Sequence, residues 1–227
     1  MQPVLTHPHH ARTPGAGPAS SSADLHQLPP AAPIHQLHHY AYRAKDAEET
    51  RHFYEDILGL PLYHIIQSDY VPSTGEYCPY THFFFRLQDG SCIAFFDLGD
   101  DEAALPSPNT PLWVNHISFR VDTVADLEAM KARLQAENVE VLGVTDHHIF
   151  KSIYFFDPNG VRLELTAQLA DAAQMQREST TTHARLAEWT ARKEQWRKER
   201  AAGSASAPLK PQQNDRPEVT GHDSGHQ

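Results

Sequence analysis

Between residues 37 and 168 the apolar and polar positions follow one periodic scheme and then repeat it. From His39, Tyr40 and Tyr42 alternate with Ala41 and Arg43, the period of a half-buried strand. At Asp46 the period changes. Phe53, Tyr54, Ile57 and Leu58 recur at helical spacing, Asp46 stands before them as an N-cap with Glu49 three positions on, and Gly59 follows as a stop, which predicts a helix over about 47–58. Three strands are then expected, Leu60–Gln67, Tyr80–Arg86 and Cys92–Leu98, the last two joined by the tight turn Gln88-Asp89-Gly90. The intervening Ser68–Pro79 segment, with Pro72, Gly75 and Pro79, reads as a loop long enough to reach over a neighbouring surface.

A polar linker over 99–112 separates this run from its repeat. Val114–Val121 is the next strand, Thr123 caps a helix with Val124, Leu127, Met130 and Leu134 on one face, and Asn138 is its left-handed stop. Val139–Val144, Ser152–Phe156 and Val161–Thr166 complete the unit, the last two joined by the Asp157-Pro158-Asn159-Gly160 turn. The order is β-α-β-β-β twice. His39 and His116 stand at matching places, at the start of the first strand of each unit. Glu164 follows Gly160 at the interval by which Ala94 follows Gly90, so only one unit supplies a carboxylate there.

The flanks lack this pattern. Residues 1–33, rich in Pro, Ser, Ala and His, cannot bury enough surface to offset ordering entropy and are expected to be disordered, with His7, His9 and His10 solvated. A helical extension over 169–200 carries Leu186, Trp189 and Trp196 on one face, expected to pack on the domain or on a partner subunit of a homo-oligomer. Glu188, Glu194 and Glu199 interrupt its basic face and argue against a membrane. Residues 201–227 again read as disordered. The fold class expected is α+β, with two tandem modules, 34–98 and 113–168, forming one open, metal-binding β-sheet cavity.

Composition narrows the function. Nineteen Lys and Arg against 29 Asp and Glu give a net charge of −10, which argues against a nucleic-acid partner. Two cysteines make no disulfide framework and suit a reducing compartment. With no apolar run long enough to span a bilayer and no secretory apolar core near the start, a cytoplasmic location is expected. Of the 16 histidines, seven fall within the first 39 residues, so the total overstates what a site uses.

His39, His116 and Glu164 are the candidate metal ligands. Each lies in a strand-like apolar surround, where a lone Glu would be costly to bury without a cation. Two imidazoles and one carboxylate leave adjacent coordination positions open, so a small-molecule substrate and dioxygen can bind side by side. Neither cysteine is spaced for a closed zinc site, and Asp97 stands too far along its strand to add a fourth ligand.

The duplicated units resemble the vicinal oxygen chelate superfamily over about 37–168. The segments that carry the likeness are His39-Tyr40-Ala41-Tyr42, Phe53-Tyr54-Glu55-Asp56-Ile57-Leu58-Gly59-Leu60, His116-Ile117-Ser118-Phe119, and the stretch from Phe155-Phe156-Asp157-Pro158 through Asn159-Gly160-Val161-Arg162 to Leu163-Glu164-Leu165. That superfamily includes glyoxalase I, fosfomycin-resistance enzymes, bleomycin-binding proteins, methylmalonyl-CoA epimerase and type I extradiol dioxygenases, so the fold alone selects no reaction. The extradiol pattern falls on His39, His116 and Glu164. It also implies a tyrosine beside the substrate, matched by Tyr154, and a second histidine on the preceding loop, matched by His147 or His148, with His148 preferred. The resemblance therefore implies a dioxygenase holding Fe(II), or else Mn(II) or another divalent metal. A catechol-like diol would bind that metal through two oxygens, with Tyr154 and His148 hydrogen-bonding or moving protons. Phe84, Phe150 and Tyr63 are candidates for an aromatic wall, and His82 for the cavity face. Extradiol enzymes usually carry four such units and this chain has two, which leaves the substrate class open. The alternatives are a glyoxalase I-like lyase or isomerase and a metal-free binding protein.

Overall fold

In the computed structural model, which describes residues 31–107 and 109–202, each periodic run folds as a helix laid on its own four-stranded sheet. Most of both tails expected to be disordered, with His7, His9 and His10, lies outside the described residues. The first module comprises β1 (His39–Ala44), α1 (Ala47–Arg51, continuing as a π-helical segment His52–Ile57), β2 (Leu62–Tyr70), β3 (Tyr77–Arg86) and β4 (Cys92–Asp97). The second comprises β5 (Ile117–Val121), α2 (Val124–Ala136), β6 (Leu142–Asp146), β7 (Phe150–Phe156) and β8 (Arg162–Gln168). The strand orders β1-β4-β3-β2 and β5-β8-β7-β6 are the same, the first pair of each being parallel.

The expected caps form. Asp46 is extended and its carboxylate accepts from Glu49 N at 2.7 Å, Thr123 closes a reciprocal capping box with Asp126, and Asn138 ends α2 at φ +59°. The loop expected over Ser68–Pro79 is corrected: β2 and β3 pair on to Tyr70 and Tyr77, leaving only a turn in which Val71 N donates to Glu76 O. Pro79 is tolerated there because β4 pairs with β3 only from Thr81 onward, so the missing N–H breaks no ladder on that side.

Register confirms the duplication residue by residue. Ala41 pairs with Ala94 in the first sheet, and Ser118 with Glu164 in the second. One face of each sheet enters a shared core, where Phe53, Tyr54, Phe85 and Phe95 meet Leu127, Leu134, Phe155 and Leu163. Polar ties reinforce it: Tyr54 Oη donates to Asp157 Oδ2 at 3.0 Å, Arg133 Nε to Ile57 O at 2.6 Å, and Lys45 N to Asn159 Oδ1 at 2.8 Å. The alternate residues of the first sheet face away from this core, with Phe84, Cys92 and Ala94 forming a separate small cluster.

The extension forms two helices, α3 (Ala172–Ser179) and α4 (Thr182–Ala201). Neither contains a buried residue. Leu186 and Trp189 of α4 are exposed. Trp189 and Trp196 meet each other edge to face at 5.4 Å. Among the described residues no helix is long and apolar enough to cross a membrane, and both cysteines are free.

Candidate metal centre

His116 lies immediately before β5, and its Nδ1 stands 3.0 Å from the carbonyl oxygen of Val114. A carbonyl only accepts, so Nδ1 carries the proton and Nε2 presents its lone pair. That Nε2 is 3.2 Å from Glu164 Oε2. Two electron-rich atoms at this distance repel unless a proton or a metal ion lies between them. Adjacent ligands on bonds of about 2.1 Å would stand roughly 3 Å apart.

Glu164 is 4 % exposed on β8. Burial pushes its carboxyl up, but the hydroxyls of Ser152, Tyr154 and Ser118, together with His116, outweigh burial and hold it below the ordinary carboxylate range. Its Oε1 is buried without a hydrogen-bond partner. A buried ionised oxygen left unpaired is costly, and a cation received there would offset that cost.

Tyr154 pairs directly across from Glu164 in the β7–β8 ladder. Its hydroxyl is 2.8 Å from His147 Nε2, and burial followed by the Glu164 contact raises its pKa. The imidazole that reaches Tyr154 is thus that of His147. The adjacent His148 sits at φ +70°, exposed, with its backbone N donating to Asp146 Oδ1. The guanidinium of Arg162 lies 4.7 Å over the Tyr154 ring. Sequence reasoning passed over Ser118, Ser152 and Arg162, although strand alternation around Glu164 places all three on its face.

His39 belongs to the other sheet. Its Nδ1 stands 2.7 Å from that of His38, and its ring lies against His82 and Phe84 at 5.9 and 5.4 Å. Among the described residues no three His, Cys, Asp or Glu side chains come close enough to hold a metal, so one chain brings together His116 and Glu164 but not His39. His82 shares the His39 face, its Nδ1 2.9 Å from Phe95 O and its ring stacked on Phe96, with burial lowering its pKa. Phe84 stands by His39 and Phe150 by His147, whereas Tyr63 lies exposed under the Arg86 guanidinium. A cavity of about 320 Å³ is lined by Tyr40, Tyr42, Asn115, Phe156, Asn159 and Arg162 among others, and by neither His116 nor Glu164. Burial and then the Tyr40 hydroxyl push Tyr42 up to about 12.

The donors present therefore fit a divalent ion at two of its positions. A sequence profile of the Glyoxalase/Bleomycin resistance protein/Dioxygenase superfamily matches residues 36–165. Among solved structures, a glyoxylase/bleomycin resistance protein/dioxygenase domain from Frankia sp. EAN1pec is similar at 16 % identity and TM-score 0.50, covering 60 % of this chain and 100 % of its own. The fosfomycin resistance protein FosX from Listeria monocytogenes, complexed with Mn(II) and sulfate, is similar at 19 % identity and TM-score 0.44, covering 64 % and 98 %. A lactoylglutathione lyase from Agrobacterium tumefaciens is similar at 21 % identity and TM-score 0.42, covering 60 % and 96 %.

Proposed function

The chain belongs to the Glyoxalase/Bleomycin resistance protein/Dioxygenase superfamily, and from that premise we propose that it is a cytoplasmic, metal-dependent dioxygenase of the extradiol type, opening the ring of a catechol-like diol with Fe(II), or Mn(II), as its metal. The observation that carries this reading is the His116–Glu164 pair, whose facing Nε2 and Oε2 and orphaned Oε1 form a half-site for a divalent cation. The metal would supply open positions at which an ionised diol and dioxygen meet.

The protein's own groups do the rest. His116, with its tautomer fixed by the Val114 carbonyl, and Glu164 hold the metal. The Tyr154 hydroxyl, beside Glu164, receives a proton from the substrate hydroxyl while passing its own to His147 Nε2, 2.8 Å away. The ring carbon–carbon bond beside the diol then breaks, and both atoms of dioxygen end in the product. Ala94, where the second module has Glu164, removes the extra carboxylate that a glyoxalase-type site would use.

The third ligand, His39, comes in this reading from a second copy of the chain. The face bearing His39 and Phe84 on one copy lies over the face bearing His116, Tyr154 and Glu164 on the other. A twofold arrangement makes two equal sites.

Protein loaded anaerobically with Fe(II) and then exposed to catechols tests the reaction. One dioxygen consumed per diol, with a yellow ring-opened product, is expected. No uptake across a catechol panel, together with isomerisation of a hemithioacetal, would contradict it.

A further inference from the structure

Arg162 is the first residue of β8, two positions before Glu164 and on the same sheet face. Arg43, Arg51 and Arg185 have carboxylate partners and Arg133 donates to backbone carbonyls, whereas Arg162, like Arg86 and Arg192, has its guanidinium over an aromatic ring. Among the described residues Arg162 has no hydrogen bond and no ion pair, and its Nε is buried without a partner. Its guanidinium lies 4.7 Å over the Tyr154 ring. A partly buried cation without a counter-ion, and with one N–H donor unpaired, is suited to receive an anion.

Arg162 also lines the cavity of about 320 Å³. Tyr40, Tyr42 and Phe156 give that cavity aromatic surface, Asn115 and Asn159 bring amides, and none of its described lining residues is acidic. Tyr154 touches both groups: its ring centroid is 6.2 Å from that of His116 and 4.7 Å from the Arg162 guanidinium. A diol bound beside His116 and Tyr154 would therefore have the Arg162 guanidinium as a neighbour on the same sheet face.

We propose that Arg162 is the specificity-determining residue of this site and binds a carboxylate on the substrate, so that the substrate is an aromatic diol bearing a carboxylate group. The planar guanidinium would donate to both carboxylate oxygens, giving its Nε the partner it lacks. The diol half of this inference rests on the ring-cleavage reading; the anion half does not.

Calorimetric binding of three probes, with wild type, Arg162→Gln and Arg162→Lys, tests it. Fe(II)-loaded protein, kept anaerobic, is titrated with catechol and with 3,4-dihydroxybenzoate, and metal-free protein with benzoate. Wild type should bind the carboxylated diol on the order of tenfold more tightly than catechol. Arg162→Gln should abolish that preference with catechol affinity little changed, and Arg162→Lys should keep part of it. Benzoate binding should fall with the same variant. Equal affinity for the two diols in wild type, or a preference that survives Arg162→Gln, overturns the proposal. If neither diol binds while benzoate binds through Arg162, the anion anchor stands and the ring-cleavage reading falls.

Discussion

Around Glu164 the hydroxyls of Ser118, Ser152 and Tyr154 offer hydrogen bonds that keep the carboxylate ionised despite burial. The equivalent surround of Ala94 is Ala41 and Phe84. One substitution of charge for methyl thus separates a metal half-site from an apolar patch. The Glu164→Gln variant keeps the shape and removes the charge; its affinity for Fe(II) or Mn(II) should fall on the order of a hundredfold or more, read by metal titration. Tyr154→Phe should lower kcat by roughly a hundredfold or more with little change in KM, since the hydroxyl is assigned a proton-transfer step and no share of ground-state binding. Asp157 gives a different test. Burial lifts its carboxyl to about 6 from an unfolded value near 3.9. With the folded pKa raised, its stabilising share is complete below about pH 4 and is lost as pH rises through 6. That loss is on the order of 2–3 kcal/mol. Denaturant unfolding of Asp157→Asn should therefore gain on wild type between pH 4 and 7; a constant difference across that window would contradict the assignment. His116 and Glu164 were legible because a charge in an apolar strand needs a partner. His147 was not separable from His148, because loop geometry, with His148 at φ +70°, decides which ring reaches Tyr154.

Local chemistry placed most elements. Asp46, Thr123 and Asn138 act at the helix ends where their side chains predict, and Thr123→Ala should cost about 0.5–2 kcal/mol in unfolding free energy by removing the cap of α2. Other features depended on neighbours. The strand pairing through Tyr70 and Tyr77 survives Pro79 only because that part of β3 lacks a second partner, a fact of sheet order. The π-helical segment His52–Ile57 has no local signature either; it buries Phe53, Tyr54 and Ile57, and Tyr54 then reaches Asp157 in the other module. Gly143 marks another tertiary constraint, since a Cβ there would meet Ser152 O at 2.7 Å, so Gly143→Ala should destabilise the β6–β7 pair and lower the Tm.

At the scale of the molecule, the repeat told which residues are equivalent but not which faces meet. The apolar sides of both sheets face one core, which leaves the His39 face and the Glu164 face as separate surfaces of one chain. A second copy reunites them in our account, and α4, with Leu186 and Trp189 exposed, is further surface left uncovered by one chain. Mixing tests this. A His39→Ala chain and a Glu164→Ala chain, each inactive alone, should together recover about a quarter of wild-type activity, because half of the dimers would be mixed and each of those would carry one intact site. No recovery, with dimers confirmed to exchange, would place the third ligand elsewhere. The most direct test of the metal centre itself is the metal content of the purified protein and of its His39→Ala and His116→Ala variants. The account predicts one divalent ion per chain in wild type and its loss in both variants; metal content unchanged by His116→Ala would contradict it.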